Sequence, residues 1–216
     1  MPTSDYHQIS DVLHVVEQCQ PRSVLDVGVG FGKWGVLCRD VLEVYQERMN
    51  RPDWIVRVDG IEIHDSYRND LWRYAYDDIH IGNAAQVLAG LGQYDLILCC
   101  DVIEHFEKNA GLDLLRLMLQ RGKVVIITSP RGYSPQGPTH SNEYQTHLSG
   151  WSRDDFRDFP HVYKDIGFTF MAVVSSAPER LKGIEVMHPL RALGVKKGAA
   201  AVAKLALQRA TQKVFG

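Results

Sequence analysis

The stretch Ser23-Val24-Leu25-Asp26-Val27-Gly28-Val29-Gly30-Phe31-Gly32 decides how this sequence of 216 residues is interpreted. Its first five residues predict a short buried strand, and the glycines after them predict a tight turn into a helix that begins at Lys33. Glycines at such a turn let the backbone bend sharply and approach a bound ligand closely. The stretch therefore predicts a strand-turn-helix unit that binds a nucleotide-like ligand.

The spacing of these glycines separates the ligand classes that share such a turn. A phosphate-binding P-loop needs four residues between its first glycine and a Gly-Lys pair, whereas only three separate Gly28 from Gly32-Lys33. The dinucleotide pattern G-x-G-x-x-G needs its third glycine at position 33, where Lys33 stands. The sequence has G-x-G-x-G instead, with Asp26 two residues before the first glycine.

This pattern resembles motif I of the class I S-adenosylmethionine-dependent methyltransferases. The resemblance implies that Gly28, Gly30 and Gly32 border the methionine and ribose parts of the cofactor, and that Asp26 helps to hold its amino group. A carboxylate suits this ligand, because S-adenosylmethionine carries an ammonium and a sulfonium but no pyrophosphate. We therefore expect S-adenosyl-L-methionine as the cofactor.

Three later segments resemble further parts of the cofactor site of that family. Glu62, at the end of the predicted second strand, is the candidate for the ribose hydroxyls, with Asp59 as the second choice. Gly82-Asn83-Ala84 resembles a Gly-Asp-Ala segment that contacts the adenine amine, although an asparagine replaces the acid. Asp101-Val102-Ile103-Glu104-His105 resembles the acid and the Glu-His pair after the fourth strand, so its aspartate is expected to face the cofactor.

Candidates for the acceptor side come from this last segment and from the loop at 131–152. A hydroxyl acceptor needs a base to take its proton, whereas an amine acceptor needs only to be neutral. Histidine suits such a base near neutral pH, and aromatic rings can wall a pocket. The catalytic candidates are His105, His140 and His147, and the substrate-binding candidates are Tyr133, Tyr144 and Trp151.

Each of these side chains has an alternative role. The Glu104-His105 pair could fix the loop by hydrogen bonds, and the aromatic residues could pack the loop onto the domain. A metal site made by Asp101, Glu104, His105 and a loop histidine would offer oxygen and nitrogen ligands, provided that a helical turn brings the two carboxylates together. We assign no metal and keep this site as an alternative.

The rest of the chain alternates between strand and helix patterns. Such alternation predicts an α/β fold with a doubly wound, mostly parallel, seven-stranded sheet and helices on both faces. Its ligand is expected outside the carboxyl ends of the strands. The predicted strands cover 23–27, 54–63, 79–81, 94–100, 123–128, 162–166 and 168–175. The predicted helices cover 4–19, 33–49, 66–76, 83–88, 112–119 and 152–159.

The composition is that of one ordinary globular domain with a basic end. We expect residues 1–185 to form a single S-adenosylmethionine-binding domain, with an N-terminal helix within 1–20. Residues 186–216 contain six basic residues and no acidic residue, and they predict a helical tail. This tail either lies in solvent or contacts a partner, an anionic substrate or, weakly, a membrane surface.

Location and function follow from these features together. The sequence lacks a signal-peptide pattern and an apolar run near the ~20 residues that cross a bilayer. Its four cysteines lie in apolar segments, which favours reduced thiols and a cytoplasmic protein. We expect an enzyme that methylates an oxygen or nitrogen of a small molecule, such as a sugar or a natural-product scaffold. The alternatives are a catalytically silent binding protein, a nucleic-acid methyltransferase, disfavoured by the net charge of −2, and a nicotinamide oxidoreductase.

Overall fold

A computed structural model of the chain describes residues 3–138 and 142–186. The strands are β1 (Ser23–Val27), β2 (Arg57–Glu62), β3 (Asp78–Ile81), β4 (Tyr94–Cys100), β5 (Gly122–Pro130), β6 (His161–Ile166) and β7 (Thr169–Val174). They form one sheet of seven strands in the order β3-β2-β1-β4-β5-β7-β6. Strands β1 to β5 are parallel, and β7 is antiparallel to both β5 and β6. The predicted sheet is confirmed.

Helices cover both faces of this sheet. The α-helices are α1 (Ile9–Cys19), α2 (Lys33–Leu42), α3 (Asp70–Ala75), α4 (Ala84–Gly90) and α5 (Lys108–Arg121). Short 3-10 helices cover Tyr6–Gln8, Val44–Gln46, Arg51–Asp53, Asp65–Tyr67, Ile103–His105, Glu143–Gln145, Arg153–Phe156 and Pro178–Leu181. Helices α1, α2 and α3 share one apolar cluster with one face of the sheet, and α4 and α5 share a second cluster with the other face. Strands that are buried on both faces read as continuous apolar runs, as β4 does.

The strand order creates a switch point between β1 and β4. From β1 the chain continues to β2 and β3 on one side, whereas β4 and β5 lie on the other side. Loops that leave neighbouring strands in opposite directions open a crevice at the carboxyl ends of those strands. Gly28 follows β1 directly and Asp101 follows β4 directly, so two predicted site segments meet at this crevice.

Helix α2 is shorter than the apolar periodicity predicts, since it ends at Leu42 and not near residue 49. The reason is the fully buried carboxylate of Glu43, which accepts the amide hydrogens of Ile55 at 2.8 Å and Val56 at 2.6 Å. These bonds fix the chain just before β2. The backbone leaves the helix at this residue, where Glu43 has φ −122° and ψ −65°.

Other predicted elements are also shorter in the structure. The N-terminal helix begins at Ile9, because the Asp5 carboxylate accepts the amide of His7 at 2.9 Å and caps a 3-10 turn there. The predicted helix at 66–76 divides into a 3-10 turn and α3, and the one at 152–159 is a single 3-10 turn. The predicted strand at 54–63 is reduced to β2. The basic tail lies outside the described residues from position 187 onwards, and among the described residues no helix has the length and apolarity to cross a membrane.

Trp151 has a packing role in the structure, which is the alternative considered for the aromatic residues of its loop. Its side chain is 0% exposed, and its ring centroid lies 6.0 Å from that of Phe156. The indole N–H donates a hydrogen bond to Ser149 Oγ at 2.8 Å. Gly111 in α5 leaves room for the ring, since a Cβ at this position would lie 2.5 Å from Trp151 Cζ2. Trp151 thus anchors the end of the 131–152 loop to α5.

We predict that Gly111→Ala destabilises the protein, although alanine is favoured over glycine inside a helix by ~0.5–1 kcal/mol. The new methyl group collides with a buried ring that cannot move into solvent, and overpacking of this kind typically costs ~1–3 kcal/mol. Thermal unfolding followed by circular dichroism measures the change as a fall of several degrees in Tm. Gly90→Ala is the control, because a Cβ at Gly90 meets nothing within 4 Å. Equal Tm values for the two variants would contradict the packing role of Trp151.

Candidate functional site

A cavity of about 870 Å³ opens at the carboxyl ends of the strands. Its volume falls within the ~300–1,000 Å³ that is typical of small-molecule sites. Asp26, Gly32 and Trp151 do not line it, and His140 lies outside the described residues. The predicted residues that do line it are Gly28, Gly30, Glu62, Asn83, Ala84, Asp101, His105, Tyr133, Tyr144 and His147.

The glycine turn forms one wall of this cavity. Gly28 has a φ of 83°, which favours glycine, and a Cβ there would lie 2.4 Å from Val102 Cγ2. The amides of Gly28 and Val29 both donate to the carbonyl oxygen of Ile61, at 2.8 and 3.1 Å. The turn therefore crosses the end of β2 at close range, and only a residue without a side chain fits at its first position.

Glu62 is held where the sequence predicts a ligand for ribose hydroxyls. It is 5% exposed and lines the cavity, and its two carboxylate oxygens accept the amide hydrogens of Gly30 at 2.7 Å and His64 at 2.9 Å. A carboxylate oxygen has two acceptor sites. Each oxygen of Glu62 thus keeps one acceptor site, which fits a ribose diol.

Asp26 is 1% exposed and belongs to a buried network. Its Oδ2 accepts the hydroxyl of Tyr76 at 2.6 Å, and Tyr76 in turn accepts the amide of Gly35 at 3.0 Å. Its Oδ1 has no hydrogen-bond partner among the described residues. Burial raises the pKa of Asp26 to about 7, although the Tyr76 hydrogen bond lowers it, and the charge of Glu62 adds to the rise. The expected contact of Asp26 with the cofactor amino group stays a prediction.

Two other residues that are predicted to bind the cofactor have structural roles at the N-termini of helices. Gly32 precedes α2 with a φ of 98°, and a Cβ there would lie 3.2 Å from the Trp72 ring. Asn83 precedes α4, and its Oδ1 accepts the amides of Ala85 at 3.0 Å and Gln86 at 3.4 Å. These two hydrogen bonds occupy the Asn83 side-chain oxygen, which is the atom that could otherwise accept the adenine amine. The Nδ2 of Asn83 is therefore the group that it can offer to a ligand.

Asp101 follows β4 in the left-handed conformation, with a φ of 55°. Its Oδ2 accepts the Asp5 amide at 2.7 Å and Gln8 Nε2 at 2.9 Å, and its Oδ1 accepts the Thr128 hydroxyl at 3.3 Å. Burial raises the pKa of this carboxyl group. Asp101 thus joins the N-terminal segment to the end of β4 at the edge of the cavity.

The acceptor-side candidates converge on the other edge of the cavity. The ring centroids of His105 and His147 lie 5.0 Å apart. Burial lowers the pKa of His105, and the neighbouring His147 lowers it further. The His105 imidazole is therefore neutral near pH 7. Tyr133 and Tyr144 are 61% and 58% exposed and stand at the rim. The Tyr133 hydroxyl donates to the His147 carbonyl at 3.3 Å.

Three parts of the cavity wall were missed at the sequence level. They are Thr3–Asp5, Lys33 and Tyr67. Lys33 Nζ contacts the carbonyl oxygen of Ser4, and the Tyr67 hydroxyl accepts from the Asn142 amide at 2.6 Å. These contacts join segments that are 29 and 75 residues apart, and no local pattern marks such pairs.

Solved methyltransferase structures are similar to this chain. An O-methyltransferase family protein from Burkholderia thailandensis has a TM-score of 0.57 at 12% identity, with 79% of this chain and 55% of that chain covered. The bifunctional kinase-methyltransferase WbdD has a TM-score of 0.55 at 16% identity, with 81% and 40% covered. The chain shares its α/β fold with these methyltransferase structures. The predicted fold class is confirmed.

A third structure, PigF with SAH, has a TM-score of 0.51 at 16% identity and covers 72% of this chain and 51% of that one. The chain spans about half the length of these structures, from 40% to 55%. Neither a protein-family model nor a curated protein matches the chain. At 12% to 16% identity, these TM-scores show a shared fold and nothing about the substrate.

We predict that Asp26 makes the stability of the ligand-free protein depend on pH. Its folded-state pKa of about 7 lies above the ordinary value of 3.8, so its favourable contribution is complete below pH ~4 and is lost as the pH rises through ~7. In Asp26→Asn, the fall in unfolding free energy between pH ~5 and ~8 is expected to be smaller than in the wild type. Urea unfolding across this range measures it. Asp113→Asn is the control, because it changes an exposed carboxylate. If the unfolding free energies of the wild type and Asp26→Asn fall in parallel with pH, the raised pKa of Asp26 is contradicted.

Proposed function

We propose that this chain is an S-adenosylmethionine-dependent methyltransferase that transfers a methyl group to an oxygen or nitrogen of a small molecule. One observation carries the proposal. The Gly28–Gly30 turn and the Glu62 carboxylate line the same cavity at the switch point of a methyltransferase fold. When bound, S-adenosylmethionine supplies an electrophilic methyl group on a sulfonium.

The cofactor side of the cavity fits a nucleoside with a diol. Glu62 would accept the two ribose hydroxyls with the acceptor sites that the Gly30 and His64 amides leave over. Asn83 and Ala84 would border the adenine, with Asn83 Nδ2 donating to a ring nitrogen. The backbone of the glycine turn would lie along the methionine part, where the lack of a Cβ permits a close approach.

The charge of the cavity favours a cationic cofactor and an acceptor without phosphates. Two basic side chains, Lys33 and Arg131, line the cavity together with five acidic ones. Carboxylates in a confined space attract cations and repel phosphates. The acidic residues are Asp5, Glu62, Asp101, Glu104 and Glu107, and burial raises the pKa of Asp101 and of Glu104. This excess of acidic residues supports a small-molecule acceptor over a nucleic acid.

The four cysteines are free thiols, which supports the cytoplasmic location that we propose.

The acceptor would bind between the rim tyrosines and the histidine pair. Tyr133 and Tyr144 offer ring faces to an apolar scaffold, and their exposure leaves them free to contact it. A hydroxyl acceptor loses its proton as the new bond to carbon forms and the bond from carbon to sulfur breaks. In this proposal His105 or His147 would take the proton, directly or through a bound water, and the two ring centroids lie 5.0 Å apart.

Calorimetry with S-adenosylmethionine and with its demethylated product tests the proposal. We expect both to bind with micromolar affinity. No binding of either at ~100 micromolar would overturn it. A panel of sugar and phenolic acceptors with radiolabelled cofactor then measures transfer, and cofactor binding without turnover across the panel would favour a silent binding protein instead.

We predict that Glu62→Ala weakens binding of S-adenosylmethionine by about 100-fold, because hydrogen bonds to a charged group contribute ~1.5–3 kcal/mol each. The same titration measures the loss, and circular dichroism checks that the variant is folded. Glu179→Ala removes an exposed carboxylate that does not line the cavity and is expected to bind as the wild type does. An unchanged Kd in Glu62→Ala would show that the ribose is held elsewhere.

A further inference from the structure

Glu104, His105 and His147 form a cluster on the acceptor side of the cavity. One carboxylate oxygen and one nitrogen of each ring lie within 4.8 Å of one another, and all three residues line the cavity. Metal bonds of ~2.0–2.2 Å bring ligand atoms to roughly 3–4 Å from each other. Side-chain shifts of about an ångström would therefore close the cluster around an ion.

Both imidazoles are already held in one tautomer. His105 Nδ1 lies 3.1 Å from the Thr146 carbonyl oxygen, and His147 Nδ1 lies 2.6 Å from the Ser134 carbonyl oxygen. A carbonyl oxygen only accepts, so in each neutral ring the proton is on Nδ1 and the lone pair is on Nε2. Histidines that bind metals are oriented in this way, with the other ring nitrogen donating to a carbonyl or a carboxylate.

Glu104 is a buried acid whose carboxyl group is only partly paired. It is 2% exposed, and its Oε2 has no hydrogen-bond partner among the described residues. A polar atom that is buried without a partner is costly, and a bound cation would supply a partner for this oxygen.

The loop that supplies His147 is fixed to the segment that supplies the other two residues. The amides of Leu148 and Ser149 donate to the Glu104 carbonyl oxygen at 2.8 and 3.1 Å, and Ser149 Oγ donates to the Phe106 carbonyl at 2.7 Å. Three potential ligands from two distant segments are thus held in place before any ion binds. Such preorganisation lowers the cost of assembling a site.

Asp101 does not complete this cluster. Its carboxylate already accepts hydrogen bonds from Asp5, Gln8 and Thr128. The helical turn that a joint site with Glu104 requires covers Ile103–His105 and leaves Asp101 outside. The candidate ligand set is therefore two imidazoles and one carboxylate, with further coordination positions open to the cavity.

We propose that Glu104, His105 and His147 bind a divalent first-row transition-metal ion whose open coordination positions take water or the acceptor oxygen. Two imidazoles and a carboxylate suit Mn²⁺, Fe²⁺, Co²⁺, Ni²⁺ or Zn²⁺. Such an ion would lower the pKa of an acceptor hydroxyl bound to it. It would thus replace His105 and His147 in activating the acceptor, because their Nε2 lone pairs would be bound to the ion. This role rests on the proposed methyl transfer, whereas the binding of the ion does not.

The test uses the untagged full chain after dialysis against EDTA. Titration with Co²⁺, followed by calorimetry and by visible absorption, is expected to show one ion per chain with nitrogen and oxygen ligands. Glu104→Gln removes the charge at constant size, and His147→Gln removes one imidazole. Each is expected to weaken Co²⁺ binding by more than the ~10–100-fold that the loss of an outer-shell partner costs.

His161→Gln is the matched control. His161 Nδ1 also contacts a backbone carbonyl, that of Phe159 at 2.9 Å, but the residue is not in the cluster. The His161→Gln variant is therefore expected to bind Co²⁺ with the affinity of the wild type. Circular dichroism checks that each variant is folded, and Glu104→Gln alone tests the proposal if His147→Gln is unfolded.

A wild type without stoichiometric Co²⁺ binding, or folded cluster variants with unchanged affinity, would overturn the metal site. Calorimetry of the metal-free protein with S-adenosylmethionine keeps the two proposals apart. Binding of S-adenosylmethionine without Co²⁺ binding overturns the metal site alone. Binding of Co²⁺ without S-adenosylmethionine binding overturns the methyl transfer alone.

Discussion

The turn after β1 and the end of β2 hold each other in place, and the shape of the cavity depends on this contact. The Ile61 carbonyl accepts the amides of Gly28 and Val29, and the Glu62 carboxylate accepts the amide of Gly30. Because three successive amides are used in this way, the turn cannot move away from β2 without leaving buried polar groups unpaired. The crevice stays open because the two strand ends are tied together.

The opposite side of the cavity is built by a similar use of backbone groups. The Glu104 carbonyl accepts two amides of the loop after β5, and Trp151 anchors the end of that loop in the core. A loop that crosses the surface without such ties would be free to move. Here the loop presents His147 toward His105 at a fixed distance.

The sequence predicts best those elements whose cause is local. Strands β1 and β4 have the predicted bounds, because burial on both faces leaves a continuous apolar run that ends at a turn. The end of α2 is not predictable in this way, since Glu43 turns the chain by accepting amides 12 and 13 residues later. Helix periodicity contains no information about a partner at that distance.

For the site too, the sequence predicts the residues whose position has a local cause and misses contacts between distant residues. The sequence correctly placed Glu62, Gly28 and Gly30 at the cavity, because each of them lies at or just after the end of a strand. The partner of Asp26 is Tyr76, 50 residues away, and the partner of the His105 ring is the Thr146 carbonyl, 41 residues away. The sequence named these acids and histidines as candidates but could not say which of them meet.

The turn at residues 101–105 is where the two sides of the cavity meet. Asp101 has a left-handed backbone, which costs an aspartate ~1–2 kcal/mol, and its carboxylate holds the N-terminal segment at Asp5 and Gln8. Three residues later, Glu104 holds the acceptor-side loop through its carbonyl. Two segments far apart in the sequence therefore depend on one short turn.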